Sequence, residues 1–400
     1  MKRISLAFFS LLFAISSCIT SDEFEVSPRG DFEALWKIID ERYCFFDFKR
    51  EEYGLDWQEV HNRYSHRVHN SLSERALFQI LAKMTRELRD GHVNLRTPFD
   101  VGRYAEWYES YPSNYSDSLE RKYLGTALQH QIAGNLKYRV LRNNVGYVRC
   151  ASFMNDIGEG NLHEVMLYLS ACDGLIIDVR HNGGGRLSAA MDLASSFCNA
   201  PLVVGYISHK TGTGHADFSS PKAITLKPAK GLRWQKPVVV LANRRTYSAA
   251  NAFVMFMKAL PNVTFVGDRT GGGSGMPFSS ELPGGWSIRF SASPIYDRHM
   301  QHTEFGIEPD QKISISSADF SRGIDTILEC AISMLAKEAH SSNKAKFEED
   351  IEKTTVSSNE DHRTPTQRTL RGRTVENIVK ASLSHDENLP KGGSRKSVGQ

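Results

Sequence analysis

Two uninterrupted apolar runs of strand length, Gly174-Leu175-Ile176-Ile177-Asp178-Val179-Arg180 and Pro237-Val238-Val239-Val240-Leu241-Ala242, constrain this chain more than any other feature. Strands without polar alternation read as buried on both faces, the pattern of a parallel sheet covered by helices. The first run enters His181-Asn182-Gly183-Gly184-Gly185, whose glycines let bare backbone N–H groups face a ligand. The second enters Thr246-Tyr247-Ser248-Ala249-Ala250, which opens an apolar-periodic segment from Ala249 to Leu260. Ser248 thus sits at a strand-to-helix corner, where unpartnered N–H groups and the helix dipole favour an oxygen anion. A hydroxyl nucleophile and an anion-receiving loop at the ends of buried strands suggest acyl transfer. Singly, each piece has a plainer reading: a serine at a helix start is usually an N-cap, and a glycine loop is usually a turn. The loop lacks the Gly-Lys-Ser/Thr ending of a phosphate-binding loop, which sets nucleotide binding aside.

Strand and helix signals alternate through the core. Tyr138 to Leu141 and Val145 to Val148 read as strands about a turn at Asn143-Asn144. A helix near Gly160 to Ala171, the strand from Gly174, a helix from Arg186 to Asn199 and a strand from Pro201 to Tyr206 follow. After the second apolar run come a helix from Ser248 to Leu260, strands at Val263 to Val266 and Gly284 to Phe290, and a closing helix from Asp325 to Ala339. This interleaving predicts an α/β domain, mainly parallel, over residues 138–340. Upstream, Phe32, Leu35, Trp36 and Ile39, then Leu77, Ile80, Leu81, Met84 and Leu88, recur at helical spacing and predict a small helical N-terminal domain over 31–97. Residues 98–137 form a connector without clear period. From Ser341 to Gln400 large apolar residues are few, and disorder is expected.

The N-terminus pairs Lys2-Arg3 with an apolar run from Leu6 to Ile15 and ends in Ser16-Ser17-Cys18. That is the pattern of a secretory signal over residues 1–17. It resembles a bacterial lipoprotein signal, which implies lipidation at Cys18, a tether over 18–30, a membrane-anchored chain in the cell envelope, at the outer membrane, and a catalytic domain outside the cytoplasm. The other five cysteines are widely and irregularly spaced, and the fourteen histidines are scattered, so no metal or other cofactor is expected. A formal net charge of +3, with basic and acidic residues interleaved, gives no case for a nucleic-acid partner.

Four motifs in order resemble peptidase family S41, the tail-specific or C-terminal-processing serine proteases. They are Asp178-Val179-Arg180-His181-Asn182-Gly183-Gly184-Gly185, Asn243-Arg244-Arg245-Thr246-Tyr247-Ser248-Ala249-Ala250, the glycine loop Gly267 to Gly273, and Gly306-Ile307-Glu308-Pro309-Asp310. The resemblance implies a crotonase-like fold of ββα repeats and hydrolysis of peptide or protein substrates. Members with a Ser-Lys dyad carry lysine where Gly273 stands, and no lysine occurs between Lys258 and Lys312. The connector is also too short for a PDZ domain. Both departures point to the branch that looks like the tricorn protease core, which takes a histidine base from the end of the helical module. The implied catalytic set is Ser248, His92 and Glu304, with Gly183, Gly184 and Ala249 as oxyanion donors. Gly91 stands where tricorn has a relay serine, which leaves Asp90 as an alternative acid. A rival from a different class is a silent crotonase-like module that binds a peptide or hydrophobic ligand; acyl-CoA chemistry is disfavoured for an exported chain.

Overall fold

The structure, a computed structural model, describes residues 24–341. The expected signal peptide, Cys18 and all but the first residue of the expected tail lie outside the described residues.

Helix α1 (Pro28–Arg42) starts three residues earlier than the periodicity predicts, because Ser27 caps it through the Gly30 N–H and Pro28 takes the first turn. Helices α2 (Phe46–Tyr53), α3 (Trp57–Ser65) and α4 (Glu74–Arg86) follow, the last capped by Ser73. Their apolar faces, among them Phe32, Leu35, Ile39, Leu77, Leu81 and Met84, form one core with Leu95, Ile288 and Phe290. The helical module is therefore closed by strands from far along the chain.

Those strands belong to an antiparallel sheet of six. Its path is β2 (Val101–Arg103), β1 (Asn94–Arg96), β12 (Ser287–Asp297), β7 (Leu202–Ile207) and β8 (Lys222–Leu226), with β11 (Gly275–Glu281) also paired to β12. The predicted strand from Gly284 is instead a turn followed by an eleven-residue strand: Gly285 adopts φ +83° and its N–H bonds Leu282 O at 2.9 Å. Pro277 and the two serines of β11 hide its alternation.

A second sheet of seven runs β13 (Gln311–Lys312), β10 (Val263–Gly267), β9 (Val238–Ala242), β6 (Gly174–Asp178), β5 (Val145–Cys150), β4 (Leu136–Leu141) and β3 (Gln131–Ala133). From β13 to β5 all pairs are parallel, and β4 and β3 are antiparallel additions. The continuous runs are buried on both sides, as parallel strands covered by helices must be. Val238, Val240 and Ala242 join the core under α7 (Glu159–Leu169), α8 (Leu187–Ser195) and α9 (Ala249–Lys258). Val239 and Leu241 meet Ile327, Ala331 and Leu335 of a helix over residues 326–341 on the other side. Truncating a fully buried member such as Ile176 to Ala is expected to cost about 2–5 kcal/mol. Of the connector, only short α5 (Glu106–Glu109) and α6 (Asp117–Leu124) are helical. The free cysteines Cys44, Cys150, Cys172 and Cys198 are buried and Cys330 is partly exposed. No helix among the described residues is long and apolar enough to cross a membrane.

Candidate active site

The corner between β9 and α9 holds Ser248 at the N-cap position, but the serine does not cap. Its side chain bonds no helix N–H, and its backbone sits at φ 57°, ψ −123°. Such a conformation costs a non-glycine residue about 1–3 kcal/mol and persists only where neighbours over-determine it. Here the Ser248 N–H donates to Gly272 O at 2.8 Å, the Tyr247 N–H to Asn182 O at 3.0 Å, and the Thr246 hydroxyl to Val179 O at 2.9 Å. The strained turn aims the hydroxyl away from the helix, and Oγ lies 3.0 Å from His92 Nε2, across 156 residues of sequence.

The glycine loop after β6 packs directly on this corner. Gly184 has φ +94°, and a Cβ there would meet Ala249 N at 2.9 Å and Tyr247 O at 2.6 Å, so only glycine permits the approach. Its N–H, however, already donates to Asn182 Oδ1 at 2.9 Å. This corrects the expectation that Gly184 supplies an oxyanion donor: its part is close packing. The Gly183 and Ala249 N–H groups have no acceptor among the described residues. Asp178 and Arg180, from the same motif, are structural. Arg180 is buried between Asp178 at 2.6 Å and Asp325 at 2.9 Å, and Asp325 also caps the helix over 326–341 through the Ile327 and Leu328 N–H groups.

His92 lies six residues past the end of α4 and is buried, so it is no helix cap. Its ring packs on Tyr247, which stacks in turn on Trp107. Behind the ring, Nδ1 is 3.5 Å from Ser291 Oγ, and that hydroxyl donates to Asp90 Oδ2 at 2.8 Å. Asp90 also accepts the His92 N–H at 2.7 Å and the Tyr43 hydroxyl at 2.9 Å. Burial drives the imidazole down to about 4, with Asp90 opposing and Arg289 and Lys49 assisting, so His92 is a neutral acceptor at neutral pH.

Glu304 makes no hydrogen bond to His92, a link the sequence leaves open with Asp90 as the alternative acid. Its carboxylate accepts the Ser274 N–H at 2.9 Å and meets Lys49 Nζ at 3.4 Å. The lysine, fully buried, also donates to Leu88 O at 2.6 Å and lies 3.9 Å from Asp90. One ammonium between two buried carboxylates compensates one of them. Burial would raise Asp90, but Lys49, His92, the His92 N–H and Ser291 outweigh it and hold it below the usual carboxylate range. Burial and the charge on Asp90 push Glu304 up to about 8 against the pull of Lys49. The carboxylate linked to the imidazole is Asp90, through Ser291 and through the His92 N–H. Sequence reasoning missed Ser291 and Lys49, which carry no motif; beside Gly91 the space of a side chain is filled by Trp107 and Tyr247, and the hydroxyl next to the imidazole comes from Ser291 instead.

Gly273 stands where a dyad lysine would, at φ +75°, and a Cβ would lie 2.3 Å from the Tyr247 ring. Tyr247 thus occupies the space that such a lysine needs. Beside Ser248 opens a cavity of about 80 Å³ lined by Leu187, Ala252, Met255, Met276 and Ile295.

The family model for peptidase family S41 matches residues 144–313, and that for the tricorn protease C1 domain matches 24–86. A candidate peptidase from Parabacteroides merdae, known from its crystal structure, is 49% identical with a TM-score of 0.74, over 78% of this chain and 97% of that one. Mature CPAF is 14% identical with a TM-score of 0.61, over 78% of this chain and 98% of that one, a likeness of fold. A carboxyl-terminal-processing protease of Synechocystis sp. is 27% identical over 198 residues, 48% of this chain and 44% of that protein. The tricorn protease of Thermoplasma acidophilum is 23% identical over 206 residues, 51% of this chain and 18% of that protein. The matched region is thus less than half the length of these last two relatives.

Proposed function

The chain belongs to peptidase family S41, with the crotonase-like α/β fold of that family, and from this premise we propose that it is a serine peptidase acting on peptides or proteins outside the cytoplasm. The observation that carries the reading is the 3.0 Å contact between Ser248 Oγ and a buried, neutral His92, beside two N–H groups that lack an acceptor among the described residues.

In the reaction Ser248 Oγ attacks the scissile carbonyl carbon while its proton passes to His92 Nε2. The Gly183 and Ala249 N–H groups receive the oxyanion. Collapse of the tetrahedral intermediate breaks the C–N bond, and His92 returns the proton to the leaving amine. Water then attacks the acyl ester with the same base, releasing the acid and restoring Ser248. With the proton already on Nδ1 facing Ser291, the imidazolium leans on that hydroxyl and, through it, on Asp90, the part an acidic triad member plays in orienting and stabilising the base. The apolar cavity takes the side chain just before the scissile bond, so apolar residues are favoured there. Anchoring through a lipidated Cys18 and residence in the cell envelope complete the reading; the motif around Cys18 supports it.

A fluorophosphonate probe tests the proposal. Purified wild-type protein should be labelled at Ser248, with Ser248→Ala unlabelled and His92→Ala labelled far more slowly. Equal labelling of wild type and Ser248→Ala would overturn it, and an unlabelled wild type would favour the silent binding module. For the anchor, Cys18→Ser should move the protein from the membrane to the soluble fraction.

A further inference from the structure

Two aromatic rings fill the space beside the imidazole, and one of them comes from the connector between the helical module and the catalytic core. Tyr247, next to the nucleophile, packs on His92 with ring centroids 5.0 Å apart. On Tyr247 lies the half-buried indole of Trp107, from α5, at 4.1 Å with the ring planes 26° apart. Glycines from separate segments make the slot for these rings. A Cβ at Gly91 would lie 2.6 Å from Trp107 Nε1 and 2.8 Å from the Tyr247 hydroxyl, while one at Gly271 would overlap the indole and one at Gly273 the Tyr247 ring. Side chains at these positions and the aromatic pair exclude one another. A hydroxyl at 91 and a lysine at 273 are thus given up for aromatic cover.

No core holds α5. None of its residues is buried, and four residues have no helical stability of their own. Arg86 of α4 donates to the Glu106 carboxylate at 2.6 Å, and the Arg245 guanidinium lies 4.3 Å from the Tyr108 ring. The segment therefore reaches from the helical module to the loop that carries Ser248 and sets Trp107 between them. The consequence falls on the base. Ser248 meets Nε2 and Ser291 faces Nδ1, and two contacts at the ring edge define an axis about which the imidazole still turns until something packs on its face. Tyr247 is that wall, and Trp107 backs it. We propose that Trp107 is a positioning residue for the catalytic base: through Tyr247 it fixes the plane of His92 and keeps water from the imidazole. The role rests on the peptidase reading and gives the connector a part in it.

The test compares purified wild type with Trp107→Ala and Trp107→Phe on a quenched-fluorescence peptide that has an apolar residue before the cut. Trp107→Ala should lower kcat about tenfold and leave KM within about twofold, because the indole supports the base and does not line the apolar cavity. The decisive readout is pH. Asp90, Arg289, Lys49 and Tyr247 surround the imidazole, with Tyr43 on Asp90 and Glu304 behind Lys49, and the substitution removes none of them. The acid limb of kcat/KM, near 4 in wild type, should rise toward about 6.5 in Trp107→Ala as water returns to the ring. Trp107→Phe should recover most of kcat and keep the limb low. Histidine titration by NMR, with His92→Gln to assign the signal, reads the same shift without turnover. An unchanged kcat and limb in Trp107→Ala would overturn the proposal, and so would a loss of kcat with the limb still near 4, which marks a general loosening of the fold. Wild type that cleaves no peptide would overturn the peptidase reading and the catalytic role with it, while the NMR titration judges the shielding of His92 separately.

Discussion

The two halves of the site are built differently. The nucleophile half, Ser248 with Gly183, Gly184 and Ala249, is made of backbone: two corners at the ends of adjacent parallel strands, fixed by main-chain bonds such as Ser248 N–H to Gly272 O at 2.8 Å. The base half is made of side chains drawn from four separate segments, namely Lys49 of α2, Asp90 and His92 after α4, Ser291 of β12, and Glu304. Backbone geometry needs residues of set conformational freedom at set spacing, and so leaves a motif. A side-chain network needs only that groups arrive at one place, from any strand able to deliver them.

Experiments that break this contrast differ in size. Ser248→Ala should lower peptide cleavage at least ~10³-fold with little change in stability, since the strained serine caps nothing. Ser291→Ala and Asp90→Asn should each lower kcat about 10–100-fold with little change in KM, because they orient the base and do not hold substrate. A Glu304→Gln variant that lost as much as Asp90→Asn would return the acid's role to Glu304 and undo the assignment.

Lys49→Met should destabilise the fold by about 3–5 kcal/mol in urea titration, as removal of one partner from a buried ionic cluster leaves the others uncompensated. An unchanged midpoint would show that the network carries little of the fold. The smallest effect is one of pH. His92 stands at about 4 in the fold against about 6.5 in the unfolded chain. Below 6.5 the unfolded chain takes up a proton that the folded one refuses, so stability falls as pH drops from 6.5 to 4. The acid limb of kcat/KM should lie near 4, and a limb at 6.5 would mean that the imidazole is open to water.

Legibility in the sequence followed the same division. The central strands of the parallel sheet and the helix after Ser248 are readable from periodicity, whereas two-residue β13 is too short to carry any, and the pairing of His92 with Ser248 follows only from the family resemblance. Glu304 matches a motif position, but position alone does not say which of two buried carboxylates is linked to the imidazole; Ser291 makes that link to Asp90, and it lies outside every motif. Gly184 was read as a donor because its freedom of backbone is visible in the sequence, whereas the Asn182 side chain that takes its N–H is visible only in three dimensions. Only Ser287 to Phe290 of β12 falls within the strand read from the sequence; its continuation to Asp297 shows no clean alternation because its two faces serve different neighbours.

That strand has a consequence for when the chain becomes dangerous. Ile288 and Phe290 complete the helical core, while Ser291 backs the imidazole, so His92 reaches Ser248 only once residues from opposite ends of the chain have packed on β12. Contacts across 156 residues carry a large closure cost and belong to the slow part of folding. A nascent or partly opened molecule holds a serine with no base, and its cutting power arrives together with its own resistance to being cut. Latency is here a by-product of topology, and the hydrolase crosses its own assembly pathway disarmed.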